Sequence, residues 1–339
     1  MKRKSRKAPP KKKEPTEEKR EWKPWTLWER GVSKTFAENF LRCRLTTKLS
    51  FIDGLVPEGG DRTPLNFGWC FHEIMEEVYK NHDKHPGDAV ILKYAQAYEK
   101  ANNKDVLPSQ QDKWQETIGL VYITACEYFR YYPRDFKREW IRTEVESKFK
   151  IPYEYPDGEL TWLVGVLDAA YKSKRGDIIF DTKTSSRIDE EHVMEMFPLN
   201  FQMNMYMHYW KRVYNRMPKG CEMNYVRRTG LKRGQKSLPE YLEHVRNDIR
   251  KRCDFYFRRI PYSVTEKSLQ LWEERQLHPI MQEIRMWAEG KLPTFANPVG
   301  QKIGMFTSRY LPAVAEGDMS DLRKRDEEPF EFRALSKKG

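Results

Sequence analysis

Asp168, followed thirteen positions later by Asp181-Thr182-Lys183, is the part of this chain best suited to chemistry. The aspartates lie in two apolar runs rich in Val, Ile and aromatics, separated by the turn-like stretch Ser173-Lys-Arg-Gly-Asp177. That pattern predicts a β-hairpin centred between Lys174 and Arg175. The two carboxyls then fall opposite each other, or within one residue of it, on strands about 5 Å apart. Asp181 and Lys183 share a face. A two-residue loop puts Asp168 on that face as well, whereas a three-residue loop needs a bulge to bring it round. Two carboxylates and a lysine at the end of an apolar hairpin are a poor core. They are well suited to holding a divalent metal and positioning a water.

The elements that must position them are legible on both sides. Upstream, Thr63-Pro64 reads as an N-cap and first-turn proline, so a helix begins there. His72, Met75, Glu76 and Tyr79 form one stripe on it. The common role of such a histidine is structural, but a neutral imidazole facing the aspartates would complete a metal site. Downstream, Gln202 and Tyr206 are four apart and share a helix face. They are either the edge of an amphipathic core helix or a polar pair laid along a nucleic-acid backbone.

Gly68-x-x-x-His72, Glu146, Gly165-x-x-Asp168, Asp181-x-Lys183 and Gln202-x-x-x-Tyr206 occur in that order. The series resembles the RecB-type branch of the PD-(D/E)XK nucleases. The resemblance runs from about Ser33 to Arg228. Ser33–Arg44 is similar to the family's opening helix and Met223–Arg228 to the strand after the Gln-Tyr helix. It implies an α/β fold: a restriction-endonuclease-like core with a central mixed β-sheet flanked by helices, plus helical additions. It also implies metal-dependent DNA cleavage in recombination, repair or phage replication.

Carried over residue by residue, the resemblance makes His72, Asp168 and Asp181 metal ligands, with the Thr182 carbonyl as a further ligand. Lys183 orients or deprotonates the attacking water and stabilises charge on the phosphate. Gln202 and Tyr206 contact the substrate or brace the site. Glu146 fits the family's early acidic position as an accessory acid, with Glu144 as a rival. Hard oxygen donors select Mg²⁺ or Mn²⁺. Many relatives clamp a 4Fe–4S cluster with one cysteine near the opening helix and three near the C-terminus. Cys43 stands at the first position, but no cysteine follows Pro293. A cluster needs four ligands, so none is expected.

Composition agrees with a polyanionic partner, here DNA. The 339 residues carry a formal net charge of +12, with a pI of about 9.3. Residues 1–24 hold eleven Lys/Arg and four Glu, a net +7. With almost no apolar residue, residues 1–25 are expected to be a disordered tail, either a solubilising segment or a DNA-tethering arm. No apolar run approaches the ~18 residues of a membrane span, and no apolar signal region is evident. The five cysteines show no paired spacing and read as reduced thiols. A cytoplasmic protein is therefore expected, and the resemblance implies a bacterial or phage-infected cell.

The expected organisation is a nuclease domain over 26–295 and a partly disordered extension over 296–339. Within the domain, helices are expected at 33–45 and 64–81 and across an insertion at about 86–140. Strands follow at Thr143–Tyr153, Thr161–Tyr171 and Ile178–Lys183. One or two helices, broken near Pro198, span 189–216; a strand covers 221–228; helices span 239–258 and 264–290. The basic loop from Arg227 and Arg228 to Lys236 is a candidate phosphate contact. The chain thus reads as a Mg²⁺- or Mn²⁺-dependent deoxyribonuclease, an exonuclease acting on DNA ends or single strands. Its protein partners would be a helicase, recombinase or single-strand-binding protein. The alternatives are a non-catalytic nucleic-acid-binding module retaining the fold, and a basic helical scaffold with coincidental motifs.

Overall fold

The computed structural model describes residues 24–58, 63–103, 106–303 and 306–325. Most of the basic tail, and the last fourteen residues expected to be loose, lie outside the described residues. Trp25 does not belong to the tail: its ring stacks on Phe36 at 4.1 Å and its indole N–H donates to the Gly31 carbonyl.

The two larger sheets share one chain path. Strand β1 (Val32–Ser33) pairs parallel with β5 (Leu160–Leu167), which pairs antiparallel with β4 (Ser147–Glu154). The larger sheet runs in the order β3 (Glu139–Trp140), β6 (Ala169–Ser173), β7 (Gly176–Ser185), β8 (Gly220–Arg227), β9 (Phe257–Tyr262). Only β7 and β8 are parallel in it, so the sheet is mixed. A parallel neighbour requires a crossover. Helices α5 (Glu190–Met196) and α6 (Phe201–Tyr214) supply it, separated by a 3₁₀ turn at Phe197–Leu199 that contains Pro198.

The hairpin is confirmed with a two-residue loop. Ser173 pairs with Gly176 and Ala169 with Phe180, so Asp168 falls opposite Asp181 in register. The expected strand Thr161–Tyr171 is corrected. It breaks at Asp168, and its halves join different sheets. The expected strand at Thr143–Tyr153 also starts later. Arg142–Glu144 is a 3₁₀ turn, and β4 begins at Ser147. Among the strands not anticipated are β3, inside the stretch expected to be helical, and β9, between two expected helices.

Alternation along β7 divides the interior. Phe180 belongs to a core beneath α2 (Thr63–Asn81), α3 (Asp88–Asn102) and α4 (Gln111–Tyr131). Ile179 belongs to the other, which includes Met205, Tyr206 and Trp210 of α6. The opening helix α1 (Lys34–Arg42) is capped by the Ser33 hydroxyl, which accepts the Phe36 N–H at 3.0 Å. Beyond α7 (Leu238–Lys251) and β9 the chain returns as helices Glu266–Trp272 and His278–Ala288. The short strand Leu322–Lys324 pairs with β2 (Leu55–Pro57).

Two glycines bear on the site through close approach. A Cβ at Gly165 would stand 2.6 Å from the Phe149 ring, and one at Gly68 would stand 3.0 Å from Thr184 Oγ1. The first lets β4 and α6 pack over β5. The second seats α2 against β7 next to Lys183.

Candidate active site

Asp168 occupies the junction where the chain leaves one sheet for the other. Its backbone carbonyl accepts the Glu146 N–H at 2.8 Å, and its Oδ2 accepts the Thr182 N–H at 2.7 Å. Both bonds hold the carboxylate at the open end of the hairpin. Glu146 has φ = +47°, a left-handed conformation unusual for a residue with a Cβ. Such a residue costs on the order of 1 kcal/mol or more and marks a site that surrounding structure enforces. Its side chain meets α2: His72 Nδ1 lies 3.4 Å from Glu146 Oε1 and 3.6 Å from Asp168 Oδ2. The ligand-capable atoms of His72, Glu146 and Asp168 all lie within 4.8 Å of one another. Glu146 is therefore part of the cluster. Its rival Glu144 is buried elsewhere, accepting hydrogen bonds from the Tyr209 and Tyr214 hydroxyls at 3.0 and 2.5 Å.

Asp181 stands just behind. It is completely buried, with Lys183 Nζ 3.0 Å from Oδ1 and 2.9 Å from Oδ2. Oδ2 receives no properly directed hydrogen bond among the described residues, leaving a buried anionic oxygen with unused acceptor capacity. Lys183 Nζ also donates to Gln202 Oε1 at 2.8 Å. The Gln202 amide donates to the Tyr206 hydroxyl at 2.6 Å, and that hydroxyl donates to the Val166 carbonyl at 2.5 Å. The shared face of Gln202 and Tyr206 thus anchors Lys183 to β5. Tyr206 is only 2% exposed, so of its two expected roles the geometry matches bracing rather than substrate contact.

The electrostatics follow from these neighbours. Burial works against a charged His72, but Asp168 and Glu146 overcome it and raise the imidazole to about 9. Burial raises Asp168 above the usual carboxylate range. It pushes Asp181 up to about 6, with Lys183 opposing the rise. Burial also opposes the Lys183 charge, but Asp181 and Asp168 outweigh it and shift this group upward. A histidine that ligates a metal gives up its proton, and in that state the three carboxylates against one lysine leave an excess of two negative charges. That excess, the oxygen-rich donor set and the under-bonded Asp181 oxygen fit one divalent cation.

The remaining expected contacts lie farther along the strand ends. Arg227 is two register steps beyond Lys183 on the neighbouring strand. Its guanidinium donates to the Phe255 and Ser186 carbonyls and lies 3.9 Å over the Phe255 ring. The Arg228 N–H donates to the Ser185 carbonyl at 2.7 Å. Farther along the basic loop, Arg233 pairs with Asp112 at 2.8 Å. Cys43 Sγ accepts the Asn297 and Thr46 N–H groups at 3.4 and 3.5 Å, beside a segment that carries no cysteine.

Asn224 was not anticipated. It is fully buried and its amide donates to Thr182 Oγ1 at 3.2 Å, steadying the residue between Asp181 and Lys183. Its position in an apolar strand was the only available signal.

Comparison with known proteins identifies the family of this chain. No curated protein matches the chain. The crystal structure of SSO0001 aligns at 12% identity over 67% of this chain and 87% of that one, with a TM-score of 0.26. A likeness that weak carries no argument. The family model of the PD-(D/E)XK nuclease superfamily matches residues 32–284, which includes every residue of the acidic cluster, Lys183 and the Gln202–Tyr206 brace. By that match the chain belongs to the PD-(D/E)XK nuclease superfamily.

Proposed function

We propose that the protein is a divalent-metal-dependent deoxyribonuclease of the RecB-type branch. The observation that carries this reading is the convergence of His72, Glu146 and Asp168 beside the buried Asp181–Lys183 ion pair. His72, Glu146, Asp168 and Asp181 would hold Mg²⁺ or Mn²⁺. The Thr182 carbonyl would join them. In an extended strand a residue's N–H and C=O point to the same edge, and the Thr182 N–H faces Asp168. The ion, when bound, supplies a polarised phosphoryl oxygen and a water of lowered pKa.

The chain's own groups do the rest. Lys183 is kept charged by two carboxylates, which supports charge stabilisation at the phosphate rather than general-base action. Gln202 holds the ammonium in place, and Tyr206 ties Gln202 to the Val166 carbonyl. Arg227 and Arg228, at the ends of the same strands, suit contact with phosphates farther along the substrate. We assign the activity to exonucleolytic processing of DNA ends or single strands in recombination, repair or phage replication. A helicase, recombinase or single-strand-binding protein is the partner such a role calls for.

A cleavage assay with Mg²⁺ or Mn²⁺, with and without EDTA, tests this directly. End-labelled DNA should be degraded only with free metal. Binding without metal-dependent cleavage would instead identify a non-catalytic nucleic-acid-binding module.

A further inference from the structure

Trp69 lies three residues before His72 on α2. Residues so spaced are neighbours on a helix surface, with Cβ atoms roughly 5–6 Å apart. Gly68 packs against Thr184, the residue after Lys183, so this turn of α2, Trp69 included, lies alongside the strand end that carries Lys183. It is 53% exposed, more than any other aromatic among the described residues. The remaining exposed aromatic rings each have a ring or cation partner. Trp28 meets Tyr155 and Arg285, Tyr131 meets Tyr132, Phe255 meets Arg227 and Phe295 meets Arg44. Trp69 has no ring or cation partner among the described residues.

An indole left in water on a helix whose other large apolar residues are mostly buried gives up the stabilisation that burial would bring. A flat ligand that binds beside His72 would give the ring that burial. A nucleobase offers a flat face of matching size, and stacking on an aromatic side chain contributes about 1–3 kcal/mol per base. A base within an intact duplex already stacks on both neighbours and offers no free face, whereas an unpaired base does.

We propose that Trp69 is a base-stacking platform for the nucleotide next to the phosphate being cut, and that it makes single-stranded or frayed ends the preferred substrate. This rests on the nuclease reading for its choice of ligand. Trp69 is a specificity-determining residue here, since no bond made or broken involves it.

The test measures binding of the full chain to a single-stranded oligonucleotide in EDTA, where turnover plays no part. Trp69→Ala should weaken binding about 5- to 150-fold, the equivalent of one lost stack. Trp69→Phe should retain most of the affinity, and a blunt duplex should bind both variants almost as it binds the parent. One abasic residue moved along the oligonucleotide should cost the parent affinity at a particular position, and that cost should vanish in Trp69→Ala. Equal single-strand affinity for parent and Trp69→Ala overturns the proposal. So do equal losses on duplex and single strand, or an abasic penalty unchanged by the variant. A Trp69-dependent affinity without cleavage on adding Mg²⁺ would sink the nuclease reading and leave the stacking platform standing. Cleavage of single strands unaltered by Trp69→Ala would do the reverse.

Discussion

The Asp168 carboxylate accepts the backbone N–H of Thr182 at 2.7 Å, so the first acidic residue is bonded to the peptide between the second one and the lysine. One hydrogen bond thereby sets the spacing of Asp168, Asp181 and Lys183. It can form because Asp168 leaves the strand pairing just where its register partner is Asp181.

Asp168→Ala and Asp181→Ala should each abolish Mg²⁺- or Mn²⁺-dependent cleavage while the protein stays folded. Each removes a hard anionic group from the proposed ion site. Near-parental cleavage by either variant, in protein with an unchanged circular dichroism spectrum, would show the site to be misassigned.

Glu146 and Glu144 should separate cleanly. Glu146→Gln should raise the metal concentration needed for half-maximal cleavage, since Glu146 shares the cluster with His72. Glu144→Gln should leave that requirement unchanged and lower thermal stability, because Glu144 serves two tyrosine hydroxyls in the interior. Metal titrations and melting curves on both variants check the contrast.

Lys183→Ala should reduce the chemical step by on the order of a hundredfold or more, the scale seen when an electrostatic or proton-transfer group is lost. Calorimetric metal affinity should survive or improve, since a competing cation is gone. Tyr206→Phe should lower stability by about 1–3 kcal/mol, because the Val166 carbonyl and the Gln202 amide lose their shared partner. It should also slow cleavage by loosening Lys183. An unchanged rate in Tyr206→Phe would remove the brace from the mechanism.

Metal binding should release protons. Without metal, His72 is raised to about 9 and Asp181 to about 6, and ligands must be deprotonated to bind. Apparent affinity should therefore rise with pH between 6 and 9. Near pH 7.5, titrations in buffers of different ionisation enthalpy should report close to one proton released, and His72→Ala should abolish most of it. The metal-free protein should show the matching stability trend. Both folded pKa values exceed their unfolded ones, so the protonated forms stabilise the fold at low pH. That contribution is lost as pH rises, through about 6 for Asp181 and from 6.5 to about 9 for His72. A metal-free melting temperature that climbs over this range would contradict the assignment.

The hairpin and its chemistry were readable from residue order because they are local. Strand alternation and a two-residue turn suffice to oppose Asp168 and Asp181, and helical spacing suffices to pair Gln202 with Tyr206. The break at Asp168 was not readable. Thr161–Tyr171 has the same β-forming character throughout, and only competition between two sheets for its halves splits it. The choice between Glu146 and Glu144 was likewise beyond composition or periodicity. The two are neighbours in the chain, but a left-handed turn at Glu146 sends one carboxylate to His72 while tyrosines of α6 claim the other. Local spacing thus determined which residues could do chemistry. Long-range packing decided which of them meet, because the contacts joining His72, Glu146 and Asp168 come from a helix and two strand ends far apart in sequence.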